Sequence, residues 1–410
     1  MVESASARRS DAALPCGGGH GRDVLPQSAI AAMAGPTGVA ESTSAPLRVL
    51  IVSDEMEVGG SQRQIAGLLR AFPPAQCHAE LAYFRTPSFL VDEIEAAGIA
   101  VHRIDKRSRR DVRFLLRLAR LLREGRFDVI HCFSFTAELW TRLALLLAPG
   151  AAMVASMRDM GHALTPLQWW IKRRVCRSAR AVISNSAQAA GRIRDVMRGG
   201  PSVHVVANGI DMPMPLDATR RQALREEMGA IDGRTLALFV GRLTHQKNVD
   251  LLLDAMATLP RSERPTVALA GHGPLRETLE VRALSLGLLD DVRFLGERRD
   301  ARELMQAADV LVLPSRDEGQ SNVVLEAMAA GLAVLATRVG GNAELIEDGV
   351  SGVLFDCSDA AALRSALRRA AGDLPWCRRL GEAARSRVAD RYSLDTLARE
   401  TLAIYRRCLK

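Results

Sequence analysis

The chain has 410 residues, which at roughly 150 residues per domain gives two domains and excludes one small module. Apolar residues make up 48% and charged residues 25%, the proportions of a soluble globular protein with two cores to bury, so wholesale disorder is excluded. The net charge of +8 comes from the first half, where residues 47–210 hold 24 Lys and Arg against 14 Asp and Glu, and aromatics at 4% leave little to stack on bases, so nucleic acid is not expected as a partner.

Residues 1–46 carry a Gly triplet but no basic start followed by an apolar core, so they are expected to be a disordered N-terminal extension and not a secretory signal. From Leu47 onward, short β-branched or apolar runs alternate with longer amphipathic ones, the pattern of βα units around a parallel sheet. Strands are predicted at Leu47–Ser53, Ala79–Phe84, Ile99–Ile104, Val129–Phe133, Met153–Met157, Ala181–Ser184 and Val203–Ala207, with helical stretches between them. Turn residues and two prolines from Asn208 to Pro215 interrupt both periodicities and mark a linker. Strands near Leu236–Val240, Val267–Ala270, Val292–Leu295, Val310–Pro314, Ala333–Thr337 and Val353–Phe355 then repeat the rhythm. After Phe355 the pattern is helical, and Leu394–Leu409 is amphipathic enough to need a surface to dock on.

The expectation is therefore an α/β protein of two Rossmann-like, doubly wound domains, 47–212 and 213–392, facing a central cleft. A C-terminal helix, 393–410, is expected to pack back on the first domain. Seven cysteines with no CxxC pair argue against a disulfide framework and a structural zinc site, and fit a reducing, cytoplasmic setting. The longest apolar stretch, Leu143–Ala155, is broken at Pro149 and Gly150 and is too short to span a bilayer.

The chemistry-bearing residues fall in loops after strands. Gly59 and Gly60 precede the first helix, where bare backbone N–H groups can approach a phosphate; a plain tight turn is the alternative. The spacing is not GxGxxG, so a nicotinamide or flavin cofactor loses support. After the first strand of the second half come Gly241, Arg242 and Lys247, a guanidinium fork and a movable ammonium that suit a diphosphate, or else two solvated cations. The run from Pro314 to Gly331 is the sharpest feature: a loop carries Glu318, Ser321 or Asn322 caps a helix, and Glu326 stands eight residues after Glu318. Loop and first turns together can aim both carboxylates into one cleft, and the amides of Gly319, Gln320, Ser321, Asn322 and Val323 make a pocket for a phosphate or a sugar hydroxyl. Gly340-Gly341 and Gly271-His272-Gly273-Pro274 add two further loops at the same sheet edge.

Together, Glu318-x7-Glu326, Gly241-Arg242-x4-Lys247, Gly271-His272-Gly273-Pro274-Leu275, Asn208-Gly209-Ile210-Asp211 and Gly340-Gly341-x2-Glu344 resemble the retaining glycosyltransferases of the GT-B fold, family 4 (glycosyl transferases group 1), over residues 47–408. The resemblance implies transfer of a sugar from a UDP- or GDP-sugar, with retention, no metal and no cofactor. It implies Glu326 on the ribose hydroxyls, Glu318 at the donor sugar, and Arg242 and Lys247 on the diphosphate. It further implies amides 319–323 on sugar and phosphate, Gly59 and Gly60 opposite them, and Glu297 and Arg298 near the base.

The chain departs from the family where many relatives carry a histidine near the reacting carbon, because here the predicted strand Met153–Met157 runs into Arg158. A guanidinium cannot accept a proton; the resemblance implies a front-face mechanism in which the departing phosphate oxygen takes the acceptor's proton, with Arg158 expected to stabilise that phosphate. His131 stands at the first position of the family's His-x-His, with Phe133 at the second, and is either a cleft residue or a satisfied core histidine.

The resemblance implies that the first domain, here the basic one, takes the acceptor, a glycan or a lipid-linked one in envelope or exopolysaccharide synthesis. Arg103–Arg126 holds ten Lys and Arg, with Val112, Leu115, Leu116, Ala119 and Leu122 on one helix face, and Trp169–Val175 sets aromatics beside cations. Both fit peripheral contact with an anionic membrane on its cytoplasmic side, or a core-facing stripe with a solvated back. The alternatives to an active transferase are a sugar-nucleotide-binding protein without turnover and a GT-B nucleotide-sugar epimerase.

Overall fold

The computed structural model describes residues 45–106, 111–159, 161, 164–231 and 233–410. The extension expected over 1–46 lies, but for Ala45 and Pro46, outside the described residues, as do residues 107–110 of the basic segment.

Seven strands form the first sheet: β1 (Leu47–Ser53), β2 (Cys77–Tyr83), β3 (Val101–Arg103), β4 (Val129–Cys132), β5 (Ala152–Met157), β6 (Ala181–Ser184) and β7 (Ser202–Val205). Its helices are α1 (Gly60–Ala71), α2 (Phe89–Ala96), α3 (Val112–Gly125), α4 (Phe135–Leu147), α5 (Pro166–Ser178) and α6 (Ala187–Met197). The six-stranded second sheet holds β8 (Leu236–Val240), β9 (Thr266–Ala270), β10 (Val292–Gly296), β11 (Val310–Leu313), β12 (Ala333–Thr337) and β13 (Val353–Phe355). With it run α7 (Ala218–Glu227), α8 (Val249–Ala257), α9 (Arg276–Ser285), α10 (Ala301–Ala307), α11 (Asn322–Ala329), α12 (Asn342–Leu345), α13 (Ala360–Gly372) and α14 (Leu374–Arg391), and α15 (Leu394–Cys408) ends the chain.

All strands pair in parallel, in the orders β3-β2-β1-β4-β5-β6-β7 and β10-β9-β8-β11-β12-β13. This is the doubly wound α/β architecture expected from the alternation of runs. The inner strands are buried on both faces, which is why β4, β5, β6 and β11 read as almost unbroken apolar stretches. Each sheet reverses its winding once, between β1 and β4 and between β8 and β11. At such a reversal neighbouring loops part and leave a crevice outside the carboxyl ends of the strands.

The chain passes between the two lobes twice. Going out, Ile210 donates its N–H to the Tyr392 carbonyl and bridges Ser393; coming back, α15 lays Leu394, Leu397, Ala398, Leu402, Ile404 and Tyr405 into the core of the first lobe beside Ile65, Leu68 and Leu69 of α1.

Two sequence expectations change. In α3 the buried residues are Phe114, Leu118, Ala119 and Leu122, one row at helical spacing, whereas Leu116 is 56% exposed and lies outside it. Lys172 is not a cation for a headgroup: it is buried, and its ammonium donates to Glu138 Oε1 (2.6 Å), Glu138 Oε2 (2.7 Å) and the Ser156 carbonyl (2.6 Å). Glu138 Oε1 also accepts from Ser156 N–H, so the pair ties α4 and α5 to the end of β5. Cys77, Cys132, Cys176, Cys377 and Cys408 are free thiols.

Candidate active site

Gly59 and Gly60 follow β1, Gly241, Arg242 and Lys247 follow β8, and Glu318 follows β11, all at the winding reversals, whereas Arg158 follows β5 and Glu297 and Arg298 follow β10. After β8, Gly241 to Thr244 leads into a single 3-10 turn, His245–Lys247, and after β11 comes Pro314 to Ser321. These loops are laced together: Arg316 N–H donates to the Gln246 carbonyl (2.8 Å) and Gln246 Nε2 to the Asp317 carbonyl (2.9 Å). Lys247 is thereby brought onto Glu318, whose Oε1 accepts from Lys247 Nζ (2.5 Å) and from Ser315 Oγ (2.7 Å). Glu318 is buried while Arg242, three residues before the turn, is exposed. Gly341 N–H donates to the Gly319 carbonyl (2.5 Å), so the Gly340-Gly341 turn braces the Glu318 loop from beneath.

Helix α11 starts from this loop with Ser321 as its N-cap, the hydroxyl accepting from Val324 N–H. Facing it from the first lobe is the start of α1, with Gly59 as N-cap and no side-chain cap. Neither helix has an acidic residue in its first turn, so two partly positive backbone ends meet at one place without a carboxylate to compensate them. They come so close that a Cβ on Gly60 would lie 2.5 Å from Asn322 Nδ2. The loop also touches the end of β5: a Cβ on Gly319 would lie 2.5 Å from the Arg158 carbonyl oxygen.

Glu326, one turn into α11, is held by Arg302 of α10, whose Nη2 and Nε donate to Glu326 Oε1 at 3.2 and 3.3 Å. Glu326, Arg302 and Asn322 line a small open pocket together with Arg63 and Gln64 of α1.

Arg158 projects from the end of β5 over the ring of Phe133, 5.0 Å from its centroid, and donates from Nη2 to Asn208 Oδ1 (2.6 Å). Burial lowers its pKa to about 10, which leaves it charged at neutral pH. Its Nε has no hydrogen-bond partner among the described residues.

Of the two readings of His131 the structure shows the core one, and Arg298 does not fit its assignment. His131 is no acid or base for the cleft: it is 1% exposed, with Nδ1 at 2.7 Å from the Tyr405 hydroxyl and Nε2 at 2.8 Å from Ser156 Oγ. Burial, with the charge of Arg158 adding to it, lowers its pKa to about 3, so it is a neutral, fully bonded core residue. Arg298 is engaged on both sides, with Asp300 (2.7 and 2.6 Å) and with Glu227 of α7, and those hydrogen bonds raise its pKa. A fork matched to two carboxylates is not a free group for a base, and Glu297 beside it is exposed.

Sequence reasoning missed Gln64, Arg302 and the side chain of Asn208. Asn208 stood in the Asn208-Gly209-Ile210-Asp211 motif and in the stretch read as linker, with no role given to its side chain, and Gln64 and Arg302 are polar residues within helices, where nothing in the local pattern marks them. Among the described residues no group of three or more His, Cys, Asp or Glu side chains is placed to hold a metal ion, and no helix is long and apolar enough to cross a membrane.

Two family models divide the chain between them: Glycosyltransferase Family 4 matches residues 58–212 and Glycosyl transferases group 1 matches residues 220–387. The chain is 34% identical over 316 residues to the alpha-maltose-1-phosphate synthase of Mycobacterium tuberculosis, a match covering 68% of this chain and 79% of that one. It is 32% identical over 209 residues to an uncharacterized glycosyltransferase of Methanocaldococcus jannaschii, covering 50% of this chain and 54% of the other, so it spans about half the length of that relative. Among solved structures, HepE of Anabaena in complex with UDP-glucose aligns with a TM-score of 0.77 at 22% identity, over 87% of this chain and 98% of that one, a likeness of fold.

Proposed function

The chain belongs to the family 4, group 1 glycosyltransferases of the GT-B fold, and from that premise we propose that it is a retaining, metal-independent transferase that moves a sugar from a UDP- or GDP-sugar to a glycan or lipid-linked acceptor of envelope or exopolysaccharide synthesis. The observation that carries this reading is the convergence at the two winding reversals: Lys247 on Glu318, beside two helix starts that face each other with no acid in either first turn.

In this reading the diphosphate lies between the starts of α1 and α11. Lys247 leaves Glu318 for the phosphate, joined by Arg242, and Glu318 turns to the donor sugar while Glu326 takes the ribose hydroxyls. As the bond between the anomeric carbon and the phosphate oxygen breaks, negative charge builds on the leaving group. Two cations and two helix ends in a closed cleft are the arrangement that stabilises it. The acceptor hydroxyl attacks the same face, and its proton passes to the departing phosphate oxygen, next to Arg158.

The acceptor side is the basic first lobe. Leu116 of α3, Leu146 and Leu147 of α4, and Leu167 and Trp170 of α5 are exposed, and Arg174 lies over the Trp170 ring at 4.3 Å. An apolar rim set among cations supports peripheral contact with the anionic cytoplasmic face of a membrane. Flotation with anionic but not neutral liposomes is expected, and equal behaviour with both removes the membrane.

The direct test is a thermal-shift and hydrolysis screen of the purified protein against UDP- and GDP-sugars, with and without EDTA. Stabilisation by one nucleotide class with slow release of sugar, unchanged by EDTA, is expected. Stabilisation without release, even with lipid-linked acceptors, would instead identify a sugar-nucleotide-binding protein, the reading that Arg158 in place of a histidine favours. No stabilisation by any donor overturns the cleft assignment.

A further inference from the structure

The polar groups at the junction of the lobes are mostly amides, and an amide donates at one end and accepts at the other, so a row of them has a direction. Here the direction is set by backbone. Gly209 N–H donates to Gln64 Oε1 (3.0 Å) and the Gly209 carbonyl accepts from Gln64 Nε2 (2.9 Å), which leaves the Gln64 side chain one orientation. Its nitrogen also donates to Asn322, so Asn322 must present its oxygen, at 3.1 Å. That same oxygen accepts from Asn208 Nδ2 (2.8 Å), which turns Asn208 Oδ1 the other way, and there it accepts from Arg158 Nη2 (2.6 Å). Gln64 and Asn208 are 6% and 2% exposed, so water is not available to repair a reversed member.

Two consequences follow from the direction. Position 158 has to be a donor, a demand that the guanidinium of Arg158 meets. At the other end, Asn322 Nδ2 is turned toward Gly60, into the gap between the two helix starts.

We propose that Gln64, Asn322 and Asn208 form a directional hydrogen-bond relay, anchored on the Gly209 backbone, that positions the Asn322 amide nitrogen and the Arg158 guanidinium together on the leaving diphosphate. The relay rests on the nucleotide-sugar reading above and adds positioning residues to it. Asn208 is the member that joins the two ends, and its backbone N–H is held in turn by Gln320 Oε1 of the Glu318 loop (2.5 Å).

The test uses the full-length protein and the UDP- or GDP-sugar that the wild type hydrolyses. Asn208→Asp keeps an acceptor for Arg158 but sets an oxygen against Asn322 Oδ1. It is expected to lower kcat about 30-fold while the donor KM stays within about threefold. Asn208→Ser, which breaks the same contact without adding charge, replaces it if the aspartate variant does not fold. In a double-mutant cycle, Gln64→Leu and Arg158→Met, which share no hydrogen bond, are expected to be non-additive in kcat by about fivefold or more. A folded Asn208 variant with wild-type kcat, or a cycle additive within about twofold, overturns the relay. A wild type that neither binds nor hydrolyses any of these donors overturns the parent reading, and the relay with it.

Discussion

Two lysine–glutamate contacts among the described residues differ in burial and in how many carboxylate oxygens they use. Glu138 and Lys172 lie in the core of the first lobe, 0% and 4% exposed by side chain, and both carboxylate oxygens are engaged, with Ser156 N–H and its carbonyl completing the set. Lys247 and Glu318 lie in the cleft, 15% and 9% exposed, and meet through one carboxylate oxygen. In the first arrangement all three ammonium hydrogens are used within the core. The second joins Lys247 Nζ to Glu318 Oε1 alone, and in the proposed reading an anion draws the ammonium away, so similar residues would serve as a rivet in one lobe and as a movable contact in the other.

The largest effect comes from stranding one partner of the core pair. Lys172→Met leaves a charge in the core and is expected to cost about 3–5 kcal/mol of unfolding free energy in urea titration. Adding Glu138→Gln, which removes that charge and keeps an acceptor for Ser156 N–H, should recover at least half of the loss; a single-variant loss below about 1 kcal/mol would dissolve the contrast. In the cleft the weight falls on turnover instead. Lys247→Ala should lower kcat by about 100-fold, with a smaller loss of stability than Lys172→Met because this pair keeps some contact with solvent.

His131 sharpens the comparison through pH, because the rivet's Ser156 is also its partner. Its pKa is about 3 in the folded protein against an ordinary 6.5, so the unfolded chain takes up the proton first. Stability from this residue is complete above pH 6.5 and is lost as pH falls toward 3, reaching about 2 kcal/mol by pH 5. His131→Gln, which does not titrate, should flatten that part of the curve; parallel pH profiles would show that the ring is not held neutral. The smallest effect is expected at Glu326→Ala, with the donor KM raised about tenfold and kcat within about threefold. An unchanged KM would remove the ribose assignment.

Much of the fold was legible because buried parallel strands must be apolar on both faces. Leu47–Ser53, Ala181–Ser184, Leu236–Val240, Ala333–Thr337 and Val353–Phe355 are read from the sequence with the bounds they have in the structure. Of the candidate site, the residues near Glu318 were legible because glycines, caps and charges there stand next to strand ends. What escaped was anything defined by a partner far along the chain. Whether Lys172 meets a lipid or Glu138, or whether Arg298 is free or divided between Asp300 and Glu227, depends on contacts that no local spacing encodes. Leu116 was misplaced for a simpler reason: several helical rows of α3 are apolar, and only packing selects one.

The return of α15 bears on the order in which the protein is made. The core of the first lobe contains Leu402, Ile404 and Tyr405, so it stays unfinished until α15 has left the ribosome. The sheet of the second lobe depends on residues up to β13, and its core closes with Tyr392. The lobe synthesised second can therefore complete its interior first, and during elongation the surface of α1 that α15 covers remains open for chaperones to guard.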